Sequence, residues 1–334
     1  MKILFIGGTG VISSACADLA VARGHDLFVL NRGASTKHPL PDGVTLLHGD
    51  IHADEAHLAS LVAGHRFDAV VDYIAFSPND IQRDLRLFRD RTDQCMFISS
   101  ASAYQKPVKN YLITEETPLE NPYWEYSRNK IACEDLLMKE YRQHGFPVTI
   151  IRPSHTYGYS QIPFGVSSWR DPWTVIDRMK RGKKVIVPGD GTSLWVLTWN
   201  EDFAKGLVGL LGNPKAVGEA FQITSDEVLS WEQIHLEAYQ ALGLEPNVIH
   251  IPSDFIARFD EHAVGSLIGD KSNSVVFDNS KIRRYVPGFK CEVRWAEGLR
   301  RSLAWFEAHP EFQTVDHEAD EMWDGIIAAY ERAM

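Results

Sequence analysis

The chain has 334 residues, 44% of them hydrophobic, and a formal net charge of -11 at pH 7. It is long enough to bury a large core or two unequal ones, and its acidic balance leaves no broad basic surface for nucleic acid. Cys16, Cys95, Cys133 and Cys291 stand far apart with no CxxC pair, which argues against a zinc site or a disulfide framework and for reduced thiols in cytoplasm.

The chain opens on a short apolar run, Ile3 to Ile6, too brief for a signal segment or a membrane span. Further runs follow at Leu27 to Leu30, Val44 to Leu47, Ala69 to Asp72, Met96 to Ile98 and Val148 to Ile151, and read as strands. Amphipathic stretches between them, Ala15 to Ala22, Glu55 to Val62, Ile81 to Phe88 and Ile131 to Tyr141, read as helices. Strand, helix, strand in alternation predicts a parallel, doubly wound α/β sheet of the Rossmann type. After about residue 155 the pattern becomes irregular, with a turn at Pro188-Gly189-Asp190-Gly191, a helical pattern from Trp231 to Leu242, a segment Val248 to Pro252 and a helical tail Glu318 to Ala333. This divides the chain into a dinucleotide-binding part, 1–155, with contributions from about 190–225, and a smaller α/β part, 156–334, that mainly shapes the substrate pocket.

Gly7-Gly8-Thr9-Gly10 directly follows the first strand. Glycines there permit a tight turn, bring backbone N–H groups against pyrophosphate, and let the next helix direct its positive end at the same charge. The third position of the fingerprint is Ser13, whose side chain is expected to push the helix slightly off the strand. Where the second strand ends, an acidic residue would bind the ribose hydroxyls; this chain has Asn31-Arg32. Asn31 can bond a hydroxyl and Arg32 can pair with a 2'-phosphate, so the cofactor is NAD or NADP, undecided. Asp50 after the third strand stands either near the adenine amino group or as a helix cap.

Eleven tyrosines occur, and only Tyr126 has a lysine four residues on, Lys130. In a helix beginning near Asn121-Pro122 that spacing puts both on one face, where the ammonium is expected to lower the phenol's pKa toward working pH for acid/base use. Ile98-Ser99-Ser100-Ala101-Ser102, at the carboxyl end of the fifth strand, offers hydroxyls to hold a substrate oxygen, or else serves only to cap strand and helix ends.

These motifs, with Arg152-Pro153, Tyr157-Gly158 and Gly189-Asp190-Gly191 in the same order, resemble the extended short-chain dehydrogenase/reductases, specifically the NAD-dependent epimerase/dehydratase group. The resemblance implies Ser100, Tyr126 and Lys130 as catalytic residues. It implies cofactor contacts at Gly7, Thr9, Gly10, Val11, Ile12, Asn31, Arg32, Asp50, Ile51, Ala75, Ser99, Tyr126, Lys130 and Pro153, and substrate contacts at Ser102, His155 and Trp195. The activity implied is hydride transfer at a hydroxyl or ketone of a sugar or sugar-derived small molecule, in a protein that can pair as a homodimer. Two departures, His155 for the usual Asn and Trp195 for the usual Arg, weaken the case for a nucleotide-linked sugar. Trp169, Trp173, Trp195 and Trp199 form either an aromatic substrate wall or core packing. His48, His52 and His57 are interrupted by a Gly49-Asp50 turn, so no metal is expected. The rival to an enzyme is a non-catalytic, RNA-associated scaffold on the same fold.

Overall fold

The computed structural model describes residues 1–334 except Thr36 and Ala53. Through the first half run β1 (Lys2–Ile6), α1 (Val11–Ala22), β2 (Asp26–Asn31), β3 (Thr45–His48), α2 (Glu55–Val62), β4 (Ala69–Asp72), α3 (Pro78–Phe88), β5 (Cys95–Ile98), β6 (Leu112–Ile113), α4 (Glu125–His144) and β7 (Val148–Pro153). The chain continues through β8 (His155–Tyr157), α5 (Thr174–Lys180), β9 (Val185–Pro188), β10 (Leu194–Trp195), β11 (Leu197–Trp199), α6 (Asn200–Leu210) and β12 (Ala220–Ile223). It closes with β13 (Leu229–Ser230), α7 (Trp231–Leu242), β14 (Val248–Ile251), α8 (Ser253–Ile256), β15 (Val276–Phe277), α9 (Ser280–Tyr285), α10 (Trp295–Ala308) and α11 (His317–Ala333).

Seven strands form one sheet in the order β12-β7-β5-β4-β1-β2-β3, every neighbouring pair parallel. Because side chains alternate across a strand, each strand feeds two cores. Ile3 and Phe5 of β1 pack with Ala15 and Cys16 of α1 and Phe203 and Leu207 of α6, while Leu4 and Ile6 pack on the other face with Leu58 and Val62 of α2 and Phe88 of α3. This is the doubly wound architecture that the alternation implied. Strand order reverses at β1, which has β2 on one side and β4 on the other, so a crevice opens beyond the carboxyl ends of these strands.

Residues 200–223 return to this sheet, α6 packing on α1 and β12 pairing with β7 in the register Phe221↔Ile151. The remaining residues build a separate core around Tyr157, Trp199, Trp231 and Trp295. Small two-stranded pairings surround that core: β8 with β11, β10 with β13, β9 with β14, and β6 with β15. Among the described residues no helix is long and apolar enough to cross a membrane.

Candidate active site

The glycine loop has the backbone that a dinucleotide cradle needs. Gly7 and Gly8 adopt φ of 112° and 88°, a region that side chains rarely enter, and a Cβ on Gly8 would lie 2.8 Å from Val29 Cγ1. Ser13 does not push the helix away. It is buried, and its Oγ accepts the Gly10 N–H at 2.9 Å, so it closes the loop onto the first turn of α1. Val11 is held from behind, its carbonyl accepting Asn200 Nδ2 at 2.8 Å, and Ile12 reaches the cavity described below. At the far end of the crevice Asn31 spends its amide on the protein: Nδ2 donates to Gly7 O at 2.9 Å and Oδ1 accepts Gly33 N–H at 2.8 Å. Asn31 thereby shapes the loop, and Arg32 is the exposed group, 3.9 Å from Asp50. Asp50 accepts the His52 N–H, a local turn; the cap of α2 is Asp54, which accepts the Ala56 N–H.

Helix α4 begins at Glu125, not near Asn121-Pro122, and the Asn121 side chain closes the turn before it, Oδ1 accepting the Tyr123 N–H at 3.1 Å. Its Nδ2 donates to Ser102 O and Gly269 O at 2.9 and 2.8 Å, bracing the serine turn against the second core. Tyr126 and Lys130 share one face of α4. Lys130 is buried, and its Nζ donates to Ala75 O at 2.7 Å and Ile98 O at 2.8 Å while lying 5.7 Å from the Tyr126 ring centroid. Burial lowers its pKa to about 8 against the pull of nearby Asp72. Contrary to the expectation from spacing, the Tyr126 phenol is pushed up, not down: burial dominates, the Ser100 hydroxyl works the other way, and the Asp270 charge raises it further. The Lys130 N–H groups are bonded to backbone carbonyls, and the cost of burying a phenolate is the largest influence on the phenol.

The serine run divides by role. Ser99 is buried with its hydroxyl on Glu134, so only its backbone borders the crevice. Ser100 caps a short 3-10 turn, Ala101–Ala103, by accepting the Ser102 N–H at 3.1 Å. Ser127 Oγ donates to Ser102 Oγ at 2.8 Å, and Ser102 Oγ lies 2.9 Å from Ser100 Oγ. Ser102 thus accepts from Ser127 and shares with Ser100 a hydrogen bond in which either hydroxyl can donate.

Ser100, Ser102, Tyr126, Pro153, His155 and Trp195 all line one cavity of about 500 Å³ at the carboxyl edge of the sheet. Ile51 and Ala75 lie behind it, buried, their carbonyls accepting from Arg83 and Lys130. Of the four tryptophans singled out in the sequence, Trp195 and the exposed Trp169 border the cavity, where Trp124 joins them, whereas Trp173 and Trp199 are core. His155 stacks on Trp169 with ring centroids 5.6 Å apart; burial and the Lys271 charge lower its pKa to about 3, so the imidazole is neutral. Sequence reasoning missed Lys106, Asp270 and Lys271, which complete the wall, and also Ser127, although it lies inside the Tyr126 to Lys130 motif. Nothing local marks the first three, because they come from a loop and a π-helical segment, Val264–Lys271, far apart in sequence.

The arrangement has counterparts among known proteins. Residues 3–224 match the model of the NAD dependent epimerase/dehydratase family. The chain is 25% identical over 291 residues to 2'-dehydrokanamycin reductase of Streptomyces kanamyceticus, covering 87% of this chain and 80% of that protein. It is 26% identical over 270 residues to the chloroplast stem-loop binding protein of 41 kDa b of Arabidopsis thaliana, covering 76% and 67%. Its fold is similar to that of dTDP-glucose 4,6-dehydratase from Bacillus anthracis, solved in complex with NAD, with a TM-score of 0.73, 18% identity, and coverage of 93% and 98% of the two chains. With a family match spanning about two thirds of its length, over the residues that carry the glycine loop and the Tyr126–Lys130 face of α4, the chain belongs to the NAD-dependent epimerase/dehydratase family.

Proposed function

We propose that the chain uses NAD or NADP to transfer a hydride at a hydroxyl or ketone of a sugar or sugar-derived substrate, with Tyr126 moving the accompanying proton. The observation that carries this reading is that Ser100 and Ser102, linked to each other and through Ser102 to Ser127, share one cavity with Tyr126. When Ser102 donates to Ser100, the Ser100 hydroxyl is free to donate to a substrate oxygen. The loop Gly7 to Gly10 and the start of α1 would hold the pyrophosphate, and Lys130, at the edge of the crevice, a ribose hydroxyl. A bound nicotinamide supplies the hydride acceptor or donor and, when oxidised, a positive ring charge. Tyr126, its phenol held protonated by burial, donates its proton to a carbonyl oxygen; in the reverse direction it must first release that proton to solvent, favoured by a positive charge beside it, and as phenolate accepts the proton of a hydroxyl.

Tyr126→Phe is expected to lower kcat by about 10²- to 10⁴-fold while leaving NAD and NADP affinity near wild type, measured by single-turnover kinetics and cofactor titration. Retained turnover removes Tyr126 from the mechanism. The Arabidopsis relative named for stem-loop binding favours a second reading, a scaffold that holds RNA. The net charge of -11 opposes it. Binding of a stem-loop RNA together with no affinity for either cofactor would establish that reading in place of the enzyme.

A further inference from the structure

The charges lining the cavity do not balance. Lys106 and Lys271 are 3% and 4% exposed, and the acidic group between them is Asp270, with Lys106 Nζ 3.7 Å from its carboxylate. Two ammonium groups against one carboxylate leave one positive charge over. It falls on Lys271, whose Nζ has a single acceptor among the described residues, Ser266 O at 3.4 Å, and which otherwise lies 5.7 Å from the Trp169 ring centroid. An ammonium has three donors, and burying it unpaired is costly. Trp195 lines the same wall, but its buried indole N–H is shut off from the cavity. The neutral imidazole of His155 stands beside them, stacked on the same Trp169.

Resting on the redox reading above, we propose that Lys271, with His155 beside it, forms a recognition subsite for one carboxylate of the substrate, so that the substrate class is a sugar acid or a similar monoanionic hydroxy or keto acid. One surplus charge matches a monoanion. A diphosphate, with at least two negative charges and a preference for bidentate guanidinium, fits poorly where the lining offers lysine and no arginine. Lys106 and Asp270 satisfy each other and set the position of the cluster, while the aromatic lining suits the apolar face of a ring. Burial also drives the Lys106 and Lys271 pKa values down, consistent with ammonium groups whose solvation a ligand anion would replace.

The test is titration of the full-length protein, with saturating NAD or NADP present, by tryptophan fluorescence, since Trp169 and Trp195 border the cavity. The probes are D-glucuronate and benzoate, each against its neutral analogue, D-glucose and benzamide, with inorganic phosphate as a further anion. Wild type is expected to prefer each carboxylate by about tenfold or more, and Lys271→Met to reduce that preference below about threefold, while Lys271→Arg keeps most of it. Equal preference in wild type and Lys271→Met overturns the subsite, as does wild type binding neither carboxylate better than its analogue. Tighter binding of phosphate than of the carboxylates overturns the assignment to a carboxylate. Cofactor titration of the same samples separates the two levels: no binding of either nucleotide sinks the redox reading, whereas intact cofactor binding with no carboxylate preference sinks the subsite alone.

Discussion

Two clusters of buried charge lie close to the serine turn, and they are built on opposite plans. Behind the turn, Arg152 donates to both oxygens of Glu134 at 2.6 to 3.2 Å, to Tyr104 Oη at 3.3 Å and to Glu115 O at 3.1 Å, and Glu134 also accepts from Ser99. In front of it, the side chains of Lys106, Asp270 and Lys271 make few polar contacts among the described residues, at 3.7 and 3.4 Å, and carry a surplus charge. The first cluster is closed: the guanidinium faces its counter-charge and each of its nitrogens has an acceptor, as an interior of low dielectric demands. The second is open on the cavity side. The contrast separates buried charge that holds a fold together from buried charge that waits for a ligand.

The closed cluster should break expensively. Arg152→Met leaves Glu134 buried without its partner and is expected to cost about 3–5 kcal/mol of stability in urea denaturation, whereas replacing both residues with apolar side chains recovers most of that loss. In the open cluster the same kind of change, Lys271→Met, removes an uncompensated charge and is expected to leave stability level or raise it. A loss of comparable size in both would erase the distinction.

Lys130 is an intermediate case, satisfied by two carbonyls but with no carboxylate in direct contact. Its folded pKa of about 8 lies below the usual 10.5. Between these values the unfolded chain binds a proton that the folded chain does not, so stability rises with pH through this window and is withheld below it. The full rise attributable to Lys130 is on the order of 3 kcal/mol. Cofactor-free wild type and Lys130→Met, compared by denaturation at pH 7.5 and 10, should differ by this slope, with the variant flatter. Equal slopes would mean that the ammonium is not penalised by burial.

The closed and open clusters also differ in how far the sequence reveals them. Strand runs such as Ala69 to Asp72 and helices such as Glu55–Val62 and Trp231–Leu242 could be read because local periodicity and caps agree with the tertiary fold. The glycine loop and the Tyr126–Lys130 face are local patterns too. The start of α4 was misjudged because Asn121 closes a turn onto Tyr123 ahead of the helix, with its amide on a carbonyl 148 residues away. The direction of the Tyr126 shift was misjudged because spacing gives proximity to a charge but not depth of burial, which dominates. Lys106, Asp270 and Lys271 meet only through the bracing of the π-helical segment against the serine turn, so their charge imbalance exists only in three dimensions.

At the exposed limit stands Arg32 with Asp50, 3.9 Å apart and 71% and 40% exposed at the side chain. As an ion pair in water it contributes little to stability, and Arg32→Ala is expected to leave the unfolding midpoint unchanged within error. Its effect should appear in cofactor choice. If the guanidinium receives a 2'-phosphate, Arg32→Ala weakens NADP binding by about five- to tenfold and leaves NAD unchanged, because only NADP offers the charge. If Asp50 holds the guanidinium instead, Asp50→Asn frees it, and NADP affinity rises in that variant alone. Cofactor titrations of the three proteins distinguish these outcomes. Equal NADP affinity in all three would show that Asn31, already committed to Gly7 and Gly33, and Arg32 leave the adenosine ribose unread, and that both nucleotides enter on the strength of the glycine loop.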